Sequence, residues 1–388
     1  MDDSGIQYGY IDQQAHLERL VAGLRDANPV AIDIEADSFH HYYPKVCLIQ
    51  LSFGGDNFII DPLAALDLTD FFAGLAGKKL IFHDAGYDLR MLRMDFGFEP
   101  SGEIFDTMLA GKLLRLESLN LAGMLNNVLD VMISKSSQKA DWSKRPLPEP
   151  LLQYAAMDTH YLLELAEKLE ALLQDQQRTG WHKQMCQRSV RAAISHTQQD
   201  NPDKDFRVKG SSDLTPRQLA FLKTLWEWRE QQARQADLPP FRILHNERLV
   251  NLAIEADRLD EPNFTELCET VRHCKGKRLA LLREALKTAF DQDSSAWPAR
   301  RQTLRPPKPE KGYLERMEKI RECCQEVADA NNVAVEILLP RAVMAAVAKS
   351  GAAALTELLE QGVIVPWQAE LLQVPIENCL GGFTPVSQ

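Results

Sequence analysis

The sequence predicts an α/β protein, with a mixed β-sheet flanked by helices in its first half and only helices in its second. Three observations carry this. Apolar runs of strand length, Val30–Ile34, Val46–Phe53, Asn57–Asp61 and Lys79–Phe82, fall within the first 82 residues and are rich in β-branched and aromatic side chains. Segments with helical apolar spacing precede, interrupt and follow them. From Thr215 onward strand-like runs cease and amphipathic segments follow one another, separated by Pro and Gly.

In order, residues 12–26 read as an amphipathic helix, and Pro29-Val-Ala-Ile-Asp33-Ile-Glu35 as a strand. On that strand Val30, Ile32 and Ile34 share one face while Asp33 and Glu35 stand side by side on the other. A polar, aromatic-rich connection, Ser38 to Pro44, leads to two strands joined by Gly54-Gly-Asp-Asn57, a hairpin signal. A helix over 67–76 and a buried strand, Lys79–Phe82, complete a helix, three meandering strands, a helix and a strand. Phe82-His-Asp-Ala-Gly-Tyr-Asp88 then enters a helix, and Asp88 falls in its early turns, where the dipole favours a carboxylate. Residues 104–116 and 118–129 read as two further helices, and Asp106-Thr107 as a helix cap. The loop Ser134 to Pro146 holds four basic residues, one acid and Trp142. One long helix is expected from Pro148 to about Leu173, placing Tyr154 and Asp158 on one face at i and i+4.

Domain organisation follows from the polar breaks. Residues 1–200 form the α/β domain, 212–291 a helical domain, 292–312 a Pro-rich basic linker and 313–375 a second helical domain. The helices of the first fall at about 215–236, 246–256, 262–270 and 276–290; those of the second at 313–330 and, after the stretch Val335 to Arg341, at about 341–349, 352–361 and 365–372. Leu238-Pro-Pro-Phe241 and Val335-Glu-Ile-Leu-Leu-Pro340 occupy similar places in the two, which suggests a divergent repeat.

Composition is that of an ordinary globular protein, 45% hydrophobic and 26% charged, and no apolar run approaches the ~20 residues of a membrane span. The N-terminus has no basic stretch followed by an apolar one, so no signal peptide is expected. Seven cysteines without CxxC pairs at zinc spacing suit reduced thiols in a cytoplasmic protein. The net charge of −11 argues at first against a polyanionic partner. Residues 1–200 nevertheless carry 28 acids against 18 Lys and Arg, whereas 201–291 carry 15 against 16. The acidity is concentrated where bound cations would offset it.

Taken singly, each acidic motif is weak. Asp33-x-Glu35 could be a turn acid, and a tyrosine four residues before an aspartate is usually a wet stripe. Together, Asp33 and Glu35 on a strand, Asp88 at a strand-to-helix exit and Tyr154-x-x-x-Asp158 on a helix resemble the DEDD superfamily of 3′→5′ exonucleases in its tyrosine-bearing subgroup. The flanking Val46-Cys-Leu-Ile-Gln-Leu51 and Asp141-Trp-Ser-Lys-Arg-Pro-Leu147 fit as well. The resemblance covers about residues 1–200. Residues 212–290 resemble an HRDC domain, a nucleic-acid-binding module, and 313–375 a degenerate second copy. This layout is similar to that of the bacterial ribonuclease D family.

The resemblance implies a ribonuclease H-like sheet and a 3′→5′ exoribonuclease trimming structured precursors such as tRNA, in the cytoplasm and without an obligate protein partner. It implies two divalent ions, Mg²⁺ in the first place and Mn²⁺ as the alternative. Asp33 would bridge both, Glu35 and Asp158 would complete one and Asp88 would hold the other, while Tyr154 would orient the attacking water. Four carboxylates without a Cys/His cluster suit Mg²⁺ and not structural zinc. A DNA-directed exonuclease of the same superfamily and a non-catalytic nucleic-acid-binding scaffold are the competing readings; a helicase-type phosphate loop is absent from the sequence. Weaker candidates for substrate contact are His83, which could equally satisfy a buried backbone group, and Phe39, His40 and Tyr43, which could stack on bases or form a buried aromatic cluster. In the first helical domain Arg272, Lys275, Lys277, Arg278, Arg283 and Lys287 form the densest basic cluster, with Lys275, Lys277 and Arg278 as candidate RNA contacts.

Overall fold

The structure, a computed structural model, describes residues 5–133, 140–195, 206–300 and 312–381. Its elements begin with β1 (Gly9–Ile11), α1 (Gln14–Leu24), β2 (Val30–Ala36), β3 (Val46–Phe53) and β4 (Asp56–Ile60). They continue through α2 (Thr69–Leu75), β5 (Leu80–Phe82), α3 (Ala85–Phe96), β6 (Ile104–Asp106) and α4 (Thr107–Leu113). Then come α5 (Leu121–Leu129), α6 (Glu149–His160), α7 (Leu162–Asp175) and α8 (Thr179–Ser195).

The six strands form one mixed sheet in the order β1-β4-β3-β2-β5-β6. β2, β3 and β4 are the expected antiparallel meander, and β5 and β6 add in parallel beside β2. β2 is therefore central. Val30, Ile32 and Ile34 lie in a core with residues of α1, α2 and α3, among them Leu17, Phe71 and Leu92. Ala31, on the other side of the strand, joins a core built with α4, α5 and α7. This is the sidedness that alternation dictates, and it turns Asp33 and Glu35 away from the apolar core beneath α1–α3.

Several expectations need correction. Residues 104–116 are not one helix: Ile104-Phe-Asp106 pairs with β5 before α4 begins, a three-residue strand too short to impose a visible period. β1 is an unforeseen edge strand, again three residues, paired parallel to β4. The long helix expected from Pro148 is two, α6 and α7, which meet at Tyr161 (φ −99°, ψ −1°). α6 then lies over β2, β3 and β4, while α7 crosses towards β5. α8 adds a helix that the sequence pattern does not announce, and the last helix, Pro366–Leu380, runs eight residues further than expected, through Pro375.

The described residues fall into two compact units. One comprises those of 1–36, 45–197 and 309–388. In it the helices Tyr313–Ala330, Arg341–Ser350 and Pro366–Leu380 share an apolar core with α4, α5 and α7. Trp181 stacks on Trp367 with ring centroids 4.5 Å apart, and Arg178 donates to the carbonyls of Leu113, Asn331 and Asn332. The other unit comprises the described residues of 198–308 together with the connection 37–44. Its helices Pro216–Ala236, Asn246–Asp257, Phe264–Glu269 and Lys277–Phe290 enclose a core around Phe221, Leu252, Phe264 and Leu282. Most of the Pro-rich linker, and residues 134–139 of the basic loop, lie outside the described residues.

The described part of that loop is packed and bonded to the α/β domain. Trp142 is 1% exposed, and Arg145 reaches Asp61 through Nε (2.5 Å) and Nη2 (2.7 Å), and the carbonyls of Trp142 and Cys47. Asp61 also accepts from the Tyr10 hydroxyl at 2.6 Å and is 4% exposed. Arg145→Ala would strand this carboxylate, and breaking a buried ion pair costs roughly 3–5 kcal/mol. With the Arg145 side chain 26% exposed, the lower end, about 3 kcal/mol, is expected in urea unfolding. A loss below about 1 kcal/mol would show the pair to be a surface contact.

Candidate active site

α6 reaches the sheet because Ala155 and Ala156, both fully buried, let its backbone approach β3 and β4 closely. A polar network sets its register. Ser52 Oγ lies 2.8 Å from both Thr159 Oγ1 and Asn57 Oδ1, and His160 Nδ1 lies 3.0 Å from the same Asn57 oxygen. Asn57 in turn donates to the carbonyl of Gln7 at 3.0 Å. Ser52, Asn57 and Thr159 are buried, so each bond is costly to leave unmade. The outcome is that Tyr154 and Asp158 are held over the Asp33–Glu35 face of β2, with the Trp142 ring 6.1 Å from that of Tyr154. These positioning residues are not legible in the sequence; the polar residues inside otherwise apolar strands, Ser52 above all, are the only signal they leave.

Asp33, Glu35 and Asp158 each offer a carboxylate oxygen, and the three oxygens lie within 4.8 Å of one another. All three side chains are half-buried. Asp33 pairs across the sheet with Gln50, and Glu35 with Leu48 just before a bulge. Asp88 comes from the first turn of α3, whose preceding residue Asp84 is left-handed (φ 66°), and it is buried. The strand-to-helix exit thus bends sharply enough to bring Asp88 into the field of the others.

Burial, first of all, raises the carboxyl pKa of every member. Asp33 is pushed up to about 7, and Asp158 well above the carboxylate range by burial and the Asp33 charge. Glu35 is raised by burial and by Asp33, Asp158 and Asp88; Asp88 by burial and by Asp33, Asp84, Asp106 and Asp158. The charges acting on Glu35 and Asp88 are all carboxylates, so the cluster has a deficit of positive charge. Tyr154 is held protonated by burial and by Asp158, Glu35 and Asp33.

The weaker candidates divide. His83 Nδ1 lies 2.9 Å from Thr107 Oγ1, which donates to the Phe82 carbonyl; burial lowers its pKa. That bonding accounts for the half-buried ring without a substrate. Asp106 caps α4, accepting from Met108 and Leu109, and also accepts from the Asp84 and Ala85 amides. Phe39 and Tyr43 are 51% and 67% exposed, so the buried aromatic cluster is not what forms. The connection is anchored instead by Tyr42, bonded to Glu230 and Arg234, and by His41, 2.7 Å from Asp237. His40 Nδ1 lies 3.0 Å from Arg242 Nη2. Lys275 and Lys277 are exposed and Arg278 half-buried around a turn in which His273 (φ 61°) and Gly276 (φ 56°) are both left-handed.

The donor set fits a hard divalent cation: three converging carboxylates, a fourth within their field, and no nitrogen or sulfur ligand among the described residues of the cluster. Metal binding must therefore release protons, and the sign is definite. Without metal, raised carboxyl pKa values make the folded state bind more protons than the unfolded one. The cluster's contribution to stability then falls as pH rises from about 4, the ordinary carboxyl value, through the Asp33 value of about 7. Mg²⁺ or Mn²⁺ should accordingly raise the melting temperature more at pH 8 than at pH 5, and Asp33→Asn should blunt the gain. Equal shifts at both pH values, or an undiminished shift in the variant, would contradict the assignment.

Residues 8–174 match the 3′–5′ exonuclease family, and residues 218–258 match the HRDC domain. The ribonuclease D of Bartonella henselae is 32% identical over 263 residues, 66% of this chain and 63% of that protein. The ribonuclease D of Shewanella sp. is 29% identical over 339 residues, 85% of this chain and 84% of its own length. Among solved structures, that of Escherichia coli RNase D superposes with a TM-score of 0.71 at 23% identity, covering 98% of this chain and all of that one, which establishes the shared fold. The sheet order, the acidic cluster with its tyrosine and these similarities agree: the chain is a 3′–5′ exoribonuclease similar to the ribonucleases D.

Proposed function

We propose that this chain shortens RNA from a free 3′ end, releasing nucleoside 5′-monophosphates, with Asp33, Glu35, Asp88 and Asp158 as metal ligands and Tyr154 as the residue that aims the attacking water. The convergence of three carboxylate oxygens within 4.8 Å beneath that tyrosine carries the reading. Two divalent ions, Mg²⁺ by preference and Mn²⁺ as a substitute, would supply positive charge to the attacking and leaving oxygens of an in-line displacement. Asp33, central in the cluster, is the residue assigned to both ions; Glu35 and Asp158 serve one and Asp88 the other.

Tyr154 supports a positioning role rather than a basic one. Its hydroxyl is hydrogen-bonded to Asp158 and its pKa is raised, so at neutral pH it holds its proton. A protonated phenol donates to or accepts from a water without removing its hydrogen. Asp158 fixes the hydroxyl, and the nearby Trp142 ring limits where the phenol ring can swing.

Structured precursors, tRNA above all, are the proposed substrates, in the cytoplasm. No described helix is long and apolar enough to cross a membrane. The helical domain at 212–291 is assigned the grip on RNA upstream of the 3′ end, through Lys275, Lys277 and Arg278, and 313–375 is read as its diverged copy.

The test uses 3′-labelled RNA and matched DNA with Mg²⁺ or a chelator. Wild-type protein should release labelled mononucleotide from RNA faster than from DNA, and only with metal. Tyr154→Phe should lower kcat roughly 10–10³-fold with little change in KM, as loss of positioning does. A variant as fast as wild type would make the tyrosine structural. Chelator-resistant release would remove the metal from the mechanism, and preference for DNA would move the substrate class.

A further inference from the structure

The unit that contains residues 206–300 has a cavity of about 720 Å³, within the range of small-ligand sites. Its lining is unusual for an acidic protein: it includes Arg242, Arg248, Arg272 and Arg278 and not one carboxylate. Arg248 is bonded to Glu255 at 2.8 Å and Arg242 to His40, so these two are held in place. Arg272 and Arg278, on either side of the left-handed turn at His273–Gly276, form no ion pair among the described residues. Into this cationic setting the short helix Pro240–Ile243 presents Phe241, 42% exposed, with the His245 ring stacked against it at 6.3 Å and 29°. A large aromatic ring left open to solvent among arginines is a shelf for a flat, polyanion-borne group.

We propose that this cavity is a nucleobase pocket: one unpaired base of a single-stranded RNA stacks on Phe241, and Arg272 and Arg278 take the phosphates flanking it. The assignment rests on the reading above that this unit holds RNA, and it adds a defined subsite to it. Stacking on an aromatic face tolerates every base, and arginines match phosphate oxygens by bidentate geometry. An apolar peptide would leave Arg272 and Arg278 facing no acid, and an acidic peptide would have no use for the exposed ring.

The experiment uses the full chain carrying Asp33→Asn, so that the probe is not degraded, with single-stranded oligoribonucleotides bearing 2-aminopurine at one position at a time. Binding should alter the fluorescence at one or two positions upstream of the 3′ end. Phe241→Ala should abolish that local signal and weaken binding roughly 5- to 100-fold, as loss of one base stack does, with the salt dependence unchanged. Phe241→Trp should preserve it. Lys275→Ala with Lys277→Ala should instead flatten the salt dependence, by about 0.7 in log K against log salt for each phosphate no longer neutralised, and keep the local signal. No position-dependent signal, or one that survives Phe241→Ala, overturns the pocket. An unchanged salt slope in the lysine variant with the Phe241 signal intact counts against the basic turn alone and supports the pocket.

Discussion

Four carboxylates crowded into a half-buried cleft are the constraint on which the rest of the first unit depends. Desolvation and mutual repulsion both oppose ionisation there, and the charges acting on Glu35 and Asp88 are all carboxylates. A chain folding for stability alone would replace them with apolar residues of similar volume. Their arrangement makes physical sense as an electrostatic hole for cations, and the surrounding structure holds it open. The central strand supplies two acids rigidly. Ala155 and Ala156 bring the third close, and the bonds among Ser52, Asn57, Thr159 and His160 stop α6 from sliding along the sheet. Asp106 keeps the turn before α3 in place through the amides of Asp84 and Ala85, and so keeps Asp88 where it is.

The legible parts of this arrangement are those with a period. Alternation along Val30–Ala36 reveals which face the acids share, and a four-residue spacing puts Tyr154 beside Asp158. What stays hidden has no period or acts through contacts distant in sequence. β1 and β6, three residues each, gain their strand character from neighbours already in place. The break at Tyr161 falls between two helical patterns in register, with neither proline nor glycine to mark it. Arg145 looks like any loop cation until Asp61, 84 residues away, is beside it.

The aromatic connection 37–44 shows the same limit from the other side. Its composition suits base stacking or burial, yet its residues take different parts. Tyr42 and His41 tie it to Glu230, Arg234 and Asp237, while Phe39 and Tyr43 stay exposed. No pattern in Ser38–Pro44 separates these roles, because the partners lie nearly two hundred residues away. In the helical unit, likewise, the basic turn is visible as a charge cluster. The cavity beside it is not, since Phe241 and Arg272 meet only through the tertiary fold.

Whether these acids hold metal as a set decides the chemistry of the cleft. The most direct measurement is anomalous X-ray diffraction from crystals grown with Mn²⁺ and a nucleoside 5′-monophosphate. It should show two peaks roughly 3.5–4 Å apart, with Asp33 contacting both, Glu35 and Asp158 at one and Asp88 at the other. Peaks away from these carboxylates, or none at saturating Mn²⁺, would contradict it.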